Sequence, residues 1–254
     1  MSLGSSFAAG PGIAPRATDR PRKAGQSRRN YPHRLVELLD LDLVDATSKG
    51  ATVVDVMTRS QFGQPPQIEA VTASTKLVTL TVGGNDLGYT ASLYAACIPP
   101  WVSRVPGIAD RLRLATEPSR NADRRADATD ALVHLLGDVR RRAPQAVIMC
   151  IDYLTVLPAT FRDDLPLNAA QHQRILALAD DLNGALAAAA RHQGVELVSA
   201  SQHSVEHHAW SADPWTTGWS NPIRWRASAF HPNGSGMAQI SAMVYETITQ
   251  GIAR

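Results

Sequence analysis

The sequence contains few cysteines, little excess charge and no long hydrophobic run. Cys97 and Cys150 are the only two cysteines, so a disulfide scaffold is excluded and both thiols are expected to be reduced and buried. No run of about 18 apolar residues occurs, so no membrane span is expected. The first residues lack the basic and apolar regions of a signal peptide. The sequence therefore predicts a soluble, cytoplasmic protein.

The charge balance and the missing motifs exclude several function classes. Lys and Arg total 25 and Asp and Glu total 23, a net charge of +2, which argues against a nucleic-acid partner. There is no phosphate-binding Gly-x-x-x-x-Gly-Lys loop and no Gly-x-Gly-x-x-Gly motif. A Gly-x-Ser-x-Gly elbow and a Cys-x-x-Cys pair are also absent. Common nucleotide-binding, α/β-hydrolase and zinc or redox sites are therefore not expected.

Hydrophobic periodicity predicts alternating strands and helices within one domain that covers residues 1–254. Strands are predicted at residues 1–3, 41–47, 77–82, 146–151 and 195–199. Helices are predicted at residues 31–39, 87–97, 122–142, 169–193 and 233–251. Residues 10–30, 98–120 and 200–230 are predicted to be long irregular segments. This alternation predicts a three-layer α/β/α sandwich with a mostly parallel sheet.

Four short pieces of sequence carry groups that could do chemistry. They are Gly4-Ser5-Ser6-Phe7-Ala8-Ala9-Gly10, Gly50-Ala51-Thr52, Gly83-Gly84-Asn85-Asp86 and Phe230-His231-Pro232-Asn233. Each follows a predicted strand or precedes a predicted helix, so the fold would bring them to one sheet edge. A serine hydroxyl there can act as a nucleophile if an imidazole reaches it. Glycine N–H groups and an asparagine amide are suitable oxyanion-hole donors.

The order of these pieces resembles the SGNH (GDSL) hydrolase superfamily over almost the whole chain. The loop before the histidine, which contains Asp213-Pro214-Trp215, is similar to that of actinobacterial members. The resemblance implies that Ser6 is the nucleophile and His231 the general base. It also implies that the N–H groups of Ser6 and Gly50 and the amide of Asn85 form the oxyanion hole. No cofactor and no metal is implied.

Two positions depart from the pattern of that superfamily, because Ser5 and Ser228 stand where aspartates are usual. A main-chain carbonyl can orient the histidine instead, and the carbonyl of Ser228 is the predicted one, with that of Ala229 as the alternative. A neutral carbonyl stabilises imidazolium less than a carboxylate does, so a slower enzyme is expected. Asp213 or Asp86 could also take the place of the missing aspartate.

The resemblance implies acyl-ester chemistry through an acyl-Ser6 intermediate. The favoured prediction is an acyltransferase that moves a short- or medium-chain acyl group, for example octanoyl, onto a sugar-type or anionic glycerate-type hydroxyl. The alternatives are a carboxylesterase or lipase, and a catalytically inactive ligand-binding member of the fold. The partners implied are therefore a small-molecule acyl donor and a hydroxyl acceptor.

Three further groups of residues allow both a structural and a functional interpretation. Residues 15–34 contain seven Lys and Arg residues and one acidic residue, Asp19. This segment is either a solvated loop or a docking surface for an anionic substrate. Trp210, Trp215, Trp219 and Trp225 either line a pocket or pack the long loop. The histidines between residues 203 and 208 suggest a metal site only weakly, because no HExxH arrangement is present.

Overall fold

The computed structural model describes residues 1–98, 121–219 and 228–252, without the side chains of 121–124 and 251–252. Its sheet consists of β1 (Ser2–Gly4), β2 (Leu77–Thr81), β3 (Val147–Ile151) and β4 (Glu196–Val198). The four strands lie side by side in the order β1-β2-β3-β4, and every pair is parallel. The carboxyl ends of all four strands therefore share one edge, as the sequence predicted.

The helices cover both faces of this sheet. They are α1 (Ser6–Ala9), α2 (Tyr31–Leu39), α3 (Val53–Met57), α4 (Tyr89–Cys97), α5 (Asn121–Arg142), α6 (Ala169–Gln193), α7 (Ala200–His203) and α8 (Gly234–Ile252). Val78 and Ile148 lie in one apolar cluster with residues of α5 and α6. Met149 and Ile151 lie in a second cluster with residues of α2 and α8. Because neighbouring residues of a strand face opposite sides, the result is the predicted α/β/α sandwich.

Capping groups fix the ends of the longer helices. The side chain of Asn30 accepts a hydrogen bond from the third residue of the first turn of α2. Asn168 and Gln171 form a reciprocal capping box at the start of α6. Helix α6 ends where Gly194 takes a left-handed conformation, with φ of 59°. The bounds of both helices agree with those predicted from the sequence.

The strand predicted at residues 41–47 is wrong. The segment makes only a single bridge to β1, between Asp45 and Ser2. The Asp45 carbonyl accepts hydrogen bonds from the side chains of Arg20 and Gln26. The Asp45 carboxylate meanwhile accepts from the main chain and the hydroxyl of Thr47. The Ser2 N–H donates to the Val44 carbonyl and the Ala46 N–H donates to the Ser2 carbonyl, so the segment pairs with β1 around this one bridge without extending into a strand.

Smaller differences arise where elements are too short for a periodic signal. Helices α1, α3 and α7 have four or five residues each and were not predicted. Short 3₁₀ helices also form at Arg22–Ala24, Gln67–Ala70 and Val205–His207. Helix α4 begins at Tyr89 rather than at residue 87, because the preceding turn continues to Gly88 at φ of 71°. Most of the predicted irregular segment 98–120 lies outside the described residues.

A helix that crosses a bilayer must be both long and predominantly apolar. Within residues 1–98, 121–219 and 228–252, no helix satisfies both requirements.

Candidate active site

A serine and a histidine from opposite ends of the chain meet at the carboxyl edge of the sheet. Ser6 is the first residue of α1, and His231 lies in the loop before α8. The distance from Ser6 Oγ to His231 Nε2 is 2.8 Å. Both side chains are almost fully buried. The structure therefore brings together the two residues that the sequence predicted as nucleophile and base.

The serine is held by the turn that follows β1. The Ser5 N–H donates to the Thr81 carbonyl at 2.8 Å, and the Gly4 N–H donates to Gln67 Oε1 at 2.7 Å. Gly4 has a φ of 141°, and a Cβ atom there would lie 2.3 Å from the Thr81 oxygen. Only glycine fits at this position, so close contact with β2 fixes where Ser6 begins its helix.

A main-chain carbonyl orients the histidine, but it is not the one predicted. His231 Nδ1 lies 2.7 Å from the carbonyl oxygen of Ala229. The Ser228 carbonyl instead accepts from the main-chain N–H of His231 at 3.3 Å. Because a carbonyl oxygen can only accept, Nδ1 carries the proton and Nε2 is left to accept from the Ser6 hydroxyl. This is the tautomer that a general base requires.

The two aspartates considered as alternatives are occupied elsewhere. Asp86 accepts from the Val53 N–H at 3.0 Å, and thus bonds to the first residue of α3. It does not cap α4, which has Gly88 at its N-cap position. Burial raises the pKa of Asp86 to about 6. Asp213 lies beside His207. The His207 Nδ1 is 3.3 Å from the Asp213 carboxylate and 2.8 Å from the Asp213 carbonyl oxygen.

The environment of His231 favours the neutral imidazole. Burial lowers its pKa from 6.5 to about 4, because a charged ring would lose its hydration. The bond to Ala229 acts in the opposite direction, and the positive charge of Lys49 lowers the pKa further. At neutral pH the ring is therefore unprotonated at Nε2 and able to accept a proton.

The loop that carries His231 is clamped by a neighbouring segment. The Phe230 N–H donates to the Thr217 carbonyl at 2.6 Å, and the Thr217 N–H donates to the His231 carbonyl at 2.9 Å. Phe230 has a φ of 63°, a conformation uncommon outside glycine. Trp219 stacks on its ring with centroids 5.9 Å apart. This sharp, clamped turn directs the Ala229 carbonyl back towards the imidazole.

The tryptophans of this loop have packing roles in the described part of the chain. Trp219 and Trp210 both contact Phe230, and Trp215 is buried with its ring stacked on His207 at 3.9 Å. Trp225 lies outside the described residues. Among the described side chains, no three His, Cys, Asp or Glu residues cluster as metal ligands. His207 stacks on Trp215 and bonds to Asp213, and His208 Nδ1 accepts from the Trp210 N–H at 3.2 Å.

The candidate oxyanion donors lie on the three turns that the sequence singled out. In the part of the chain that the structure describes, neither the Ser6 N–H nor the Gly50 N–H has a hydrogen-bond acceptor. Asn85 Nδ2 donates one hydrogen to the Ala51 carbonyl at 2.8 Å. That bond ties Asn85 to the residue after Gly50 and leaves its second amide hydrogen available. Two main-chain donors and one side-chain donor are therefore available to a developing oxyanion.

Two tyrosines near the site were missed by the sequence analysis. The Tyr153 hydroxyl accepts from the Gly84 N–H at 2.9 Å and lies 3.2 Å from Ser5 Oγ. The Tyr94 hydroxyl donates to the Ala229 carbonyl at 3.0 Å, the same oxygen that His231 contacts. Tyr153 comes two residues after β3, which places it on the functional edge of the sheet. That position is the one signal that could have identified it, since no motif includes either tyrosine.

The chain is similar to known lipases and acylhydrolases. Residues 2–239 match the GDSL-like Lipase/Acylhydrolase family. Lipase 2 of Streptomyces coelicolor is 33% identical over 244 residues, which cover 93% of this chain and 81% of that protein. The match to the family spans most of the chain and includes the turns that carry Ser6, Gly50, Asn85 and His231.

Solved structures show the same fold at lower sequence identity. Phospholipase A1 from Streptomyces albidoflavus superposes with a TM-score of 0.75 at 19% identity, covering 96% of this chain and 97% of that one. An extracellular lipase from Streptomyces rimosus gives 0.76 at 21% identity with the same coverage. The match over residues 2–239 and the 33% identity to Lipase 2 show that the chain belongs to the GDSL-like lipase/acylhydrolase family.

Proposed function

We propose that the protein hydrolyses carboxylic esters through an acyl-Ser6 intermediate. The observation that carries this proposal is the 2.8 Å contact between Ser6 Oγ and His231 Nε2. A serine hydroxyl is a weak nucleophile until an adjacent base removes its proton. The family to which the chain belongs supports the acyl-ester class of reaction.

The reaction proceeds in two halves. In the first, Nε2 of His231 takes the proton of Ser6 as the oxygen attacks the ester carbonyl, and the histidine then protonates the leaving alcohol. In the second, His231 deprotonates a water molecule that attacks the acyl-enzyme, and the proton returns to Ser6 as the acid departs. The same imidazole nitrogen serves both halves, so the tautomer set by the Ala229 carbonyl matters throughout.

Three hydrogen-bond donors stabilise the negative charge that develops on the carbonyl oxygen of the ester. They are the N–H groups of Ser6 and Gly50 and the side-chain amide of Asn85. The proposal is supported by the free main-chain donors in the described residues and by the bond that holds Asn85 against Ala51. Donors of this kind act on charge that appears only in the transition state, and they therefore raise kcat.

The imidazolium that forms in each half is stabilised by a neutral carbonyl rather than by a carboxylate. Ala229 fixes the orientation of the ring but supplies only the partial charge of its oxygen. Protonation of a ring whose pKa is about 4 is costly in the ground state. We therefore retain the expectation of a slower enzyme than one with a buried aspartate in this place.

Hydrolysis, rather than the transfer favoured from the sequence, is the reaction proposed. The relatives described above are lipases and a phospholipase, which act on esters. Transfer of an octanoyl-type group onto a sugar-type hydroxyl stays a prediction. The cytoplasmic location also stays a prediction, and one structural relative is an extracellular lipase.

A covalent probe tests the proposal against the inactive-binding alternative. A fluorophosphonate should label the wild-type protein once per chain, and Ser6→Ala should abolish the labelling. Ser48→Ala is the matched control, because Ser48 is also buried but its hydroxyl has no partner among the described residues. Labelling of Ser6→Ala at the wild-type rate, or no labelling of the wild type, would refute the acyl-serine mechanism.

Competition between acceptors separates hydrolysis from transfer. Release of acid from a neutral p-nitrophenyl ester is followed with and without a large excess of glycerol or glucose. Hydrolysis predicts that free acid remains the main product at every acceptor concentration. A transferase would instead give mostly acylated sugar or glycerol, and that result would contradict hydrolysis as the main reaction.

A further inference from the structure

A cavity of about 790 Å³ lies beside the proposed oxyanion hole. Gly50, one of the assigned donors, is part of its wall. Gly12, also in the wall, approaches the histidine loop so closely that a Cβ atom there would lie 2.6 Å from the Cβ of Ser228. The cavity thus adjoins the donor side of the site at Gly50, and its wall at Gly12 packs against the loop that leads to the histidine. A group bound in it would lie next to the proposed oxyanion hole.

The lining of this cavity combines basic side chains with an apolar surface. Arg16, Arg22, Lys23 and Lys49 contribute to the wall, and no acidic residue appears among its described lining residues. Ile13 and Phe62 are examples of the apolar part. We call this space the basic cavity. Its positive field reaches the catalytic pair, since the charge of Lys49 acts on His231.

Some basic side chains within residues 15–34 have protein partners, and others have none among the described residues. Arg28 pairs with Asp19 at 3.0 Å, and the guanidinium of Arg20 donates to Gln64 and to the Asp45 carbonyl. In contrast, the side chains of Arg22 and Lys23 have no hydrogen-bond or ion-pair partner among the described residues. The run is therefore more than a uniformly solvated loop.

Local backbone bonds fix the position of the available charges. Arg22 and Lys23 lie in the 3₁₀ helix Arg22–Ala24, which ends at Gly25 in a left-handed conformation. The carbonyl of Ala24 accepts from the Lys49 N–H at 2.7 Å. This bond connects the turn to the segment that presents Gly50. The backbone from which the two cations extend is consequently anchored beside the segment that carries Gly50.

We propose that the basic cavity binds a phosphate group carried by the alcohol portion of the ester substrate. The inference rests on the proposed function and names the substrate class of the same site. A simple alkanoyl chain is uncharged and gains nothing from cationic walls, so we assign the charged part of the substrate to the alcohol. Arginine forms paired hydrogen bonds with phosphate oxygens, and lysine adds a point charge. The apolar part of the wall suits the carbon skeleton between phosphate and ester.

Two soluble esters that differ only in the phosphate provide the test. Glycerol monobutyrate and monobutyryl glycerol 3-phosphate are compared by kcat/KM on the wild type and on Arg22→Gln/Lys23→Gln. The ratio of phosphorylated to neutral ester should fall at least about tenfold, since each lost bond to a charged group is worth about that factor. The rate on the neutral ester should stay within about twofold.

A second double variant controls for overall charge. Arg29→Gln/Arg34→Gln removes two positive charges from the same basic run, but neither residue lines the basic cavity. It should leave the ratio within about twofold of wild type. An equal fall in both double variants would overturn the proposal, because the effect would then be one of net charge. An unchanged ratio in Arg22→Gln/Lys23→Gln would overturn it as well.

Binding measured without turnover separates failure of this inference from failure of the proposed function. In a Ser6→Ala background, calorimetry should detect binding of the phosphorylated ester. This binding should disappear when Arg22 and Lys23 are also replaced by glutamine. The wild type could bind the phosphorylated ester in a way that depends on Arg22 and Lys23 and yet hydrolyse neither ester. That result would refute only the hydrolase mechanism. If Arg22→Gln/Lys23→Gln changed rates only on vesicles of anionic lipid, the cations would serve a membrane surface and the proposal would be wrong.

Discussion

Ser6 and His231 share one hydrogen bond, but the chain holds the two residues in different ways. Ser6 follows β1 directly, and the residues before it are bonded to β2 and to Gln67. His231 lies in a loop, where it is held by bonds to Thr217 and by the carbonyl of Ala229. The nucleophile is thus positioned by the sheet, and the base by contacts between two loops.

The two ways of holding Ser6 and His231 predict different effects of substitutions on stability and on activity. The turn before Ser6 is part of the sheet edge, so changes there disturb backbone pairing and a core that includes Phe7. The loop of His231 is instead joined to a second loop, by backbone bonds to Thr217 and Trp215 and by aromatic stacking. We therefore expect substitutions on the nucleophile side to affect stability and activity together. Those on the base side should affect activity more selectively.

The largest effects are expected from removal of either partner of the central hydrogen bond. Ser6→Ala and His231→Gln should each lower kcat on a neutral ester at least about 10⁴-fold, and the double variant should be no worse, because the two groups act as one unit. Thermal unfolding checks that each variant is folded. Losses that simply multiplied in the double variant would show that the two residues act independently.

Asn85→Ala should produce the next largest effect. Loss of one oxyanion donor typically lowers kcat about 10²–10³-fold with little change in KM, since the donor acts on transition-state charge. The variant also removes the bond to Ala51, so its melting temperature should be measured in parallel. A KM effect alone, with kcat preserved, would move Asn85 from the oxyanion hole to substrate binding.

The elements that sequence could predict are those with long, repeated signals. Helices α2 and α6 show apolar periodicity after an asparagine N-cap, and their predicted bounds agree with the structure. The positions of Ser6 and His231 could be predicted because the ends of parallel strands share one edge. The choice between the carbonyls of Ser228 and Ala229 could not, since it depends on the positive φ of Phe230.

Contacts between distant side chains were also beyond reach of the sequence. Tyr153 and Tyr94 approach the site through tertiary packing, and no local pattern marks either residue. The basic run of residues 15–34 looked uniform, yet the fold uses some of its charges internally and directs Arg22 and Lys23 towards a cavity. Such sorting depends on where loops fold back, which composition and spacing do not encode.

The two tyrosines allow the two sides of the site to be compared with the same substitution. Tyr153→Phe leaves the buried Gly84 N–H without its acceptor, which should lower the free energy of unfolding by about 1–3 kcal/mol and kcat by about tenfold. Tyr94→Phe removes one of two donors from the buried Ala229 carbonyl, which keeps its bond to His231, so it should lower kcat only a few-fold, with stability nearly unchanged. Denaturant unfolding and steady-state kinetics of both variants test the comparison. Equal losses of stability would contradict the proposed difference between the two sides.

The smallest expected effect is a displacement of the pH profile. Catalysis requires neutral His231, and burial lowers its pKa to about 4, so kcat/KM should hold from neutral pH down to about 5 and fall as the ring becomes protonated near pH 4. Lys49→Gln removes a positive charge that opposes protonation, so the pKa of His231 should rise and the acid limb should move to higher pH. Lys76→Gln, just before β2 and thus at the opposite end of the sheet, should leave it in place. An acid limb near pH 6.5 in the wild type would show that the histidine is hydrated during catalysis, and that the loop side of the site opens while the sheet side stays fixed.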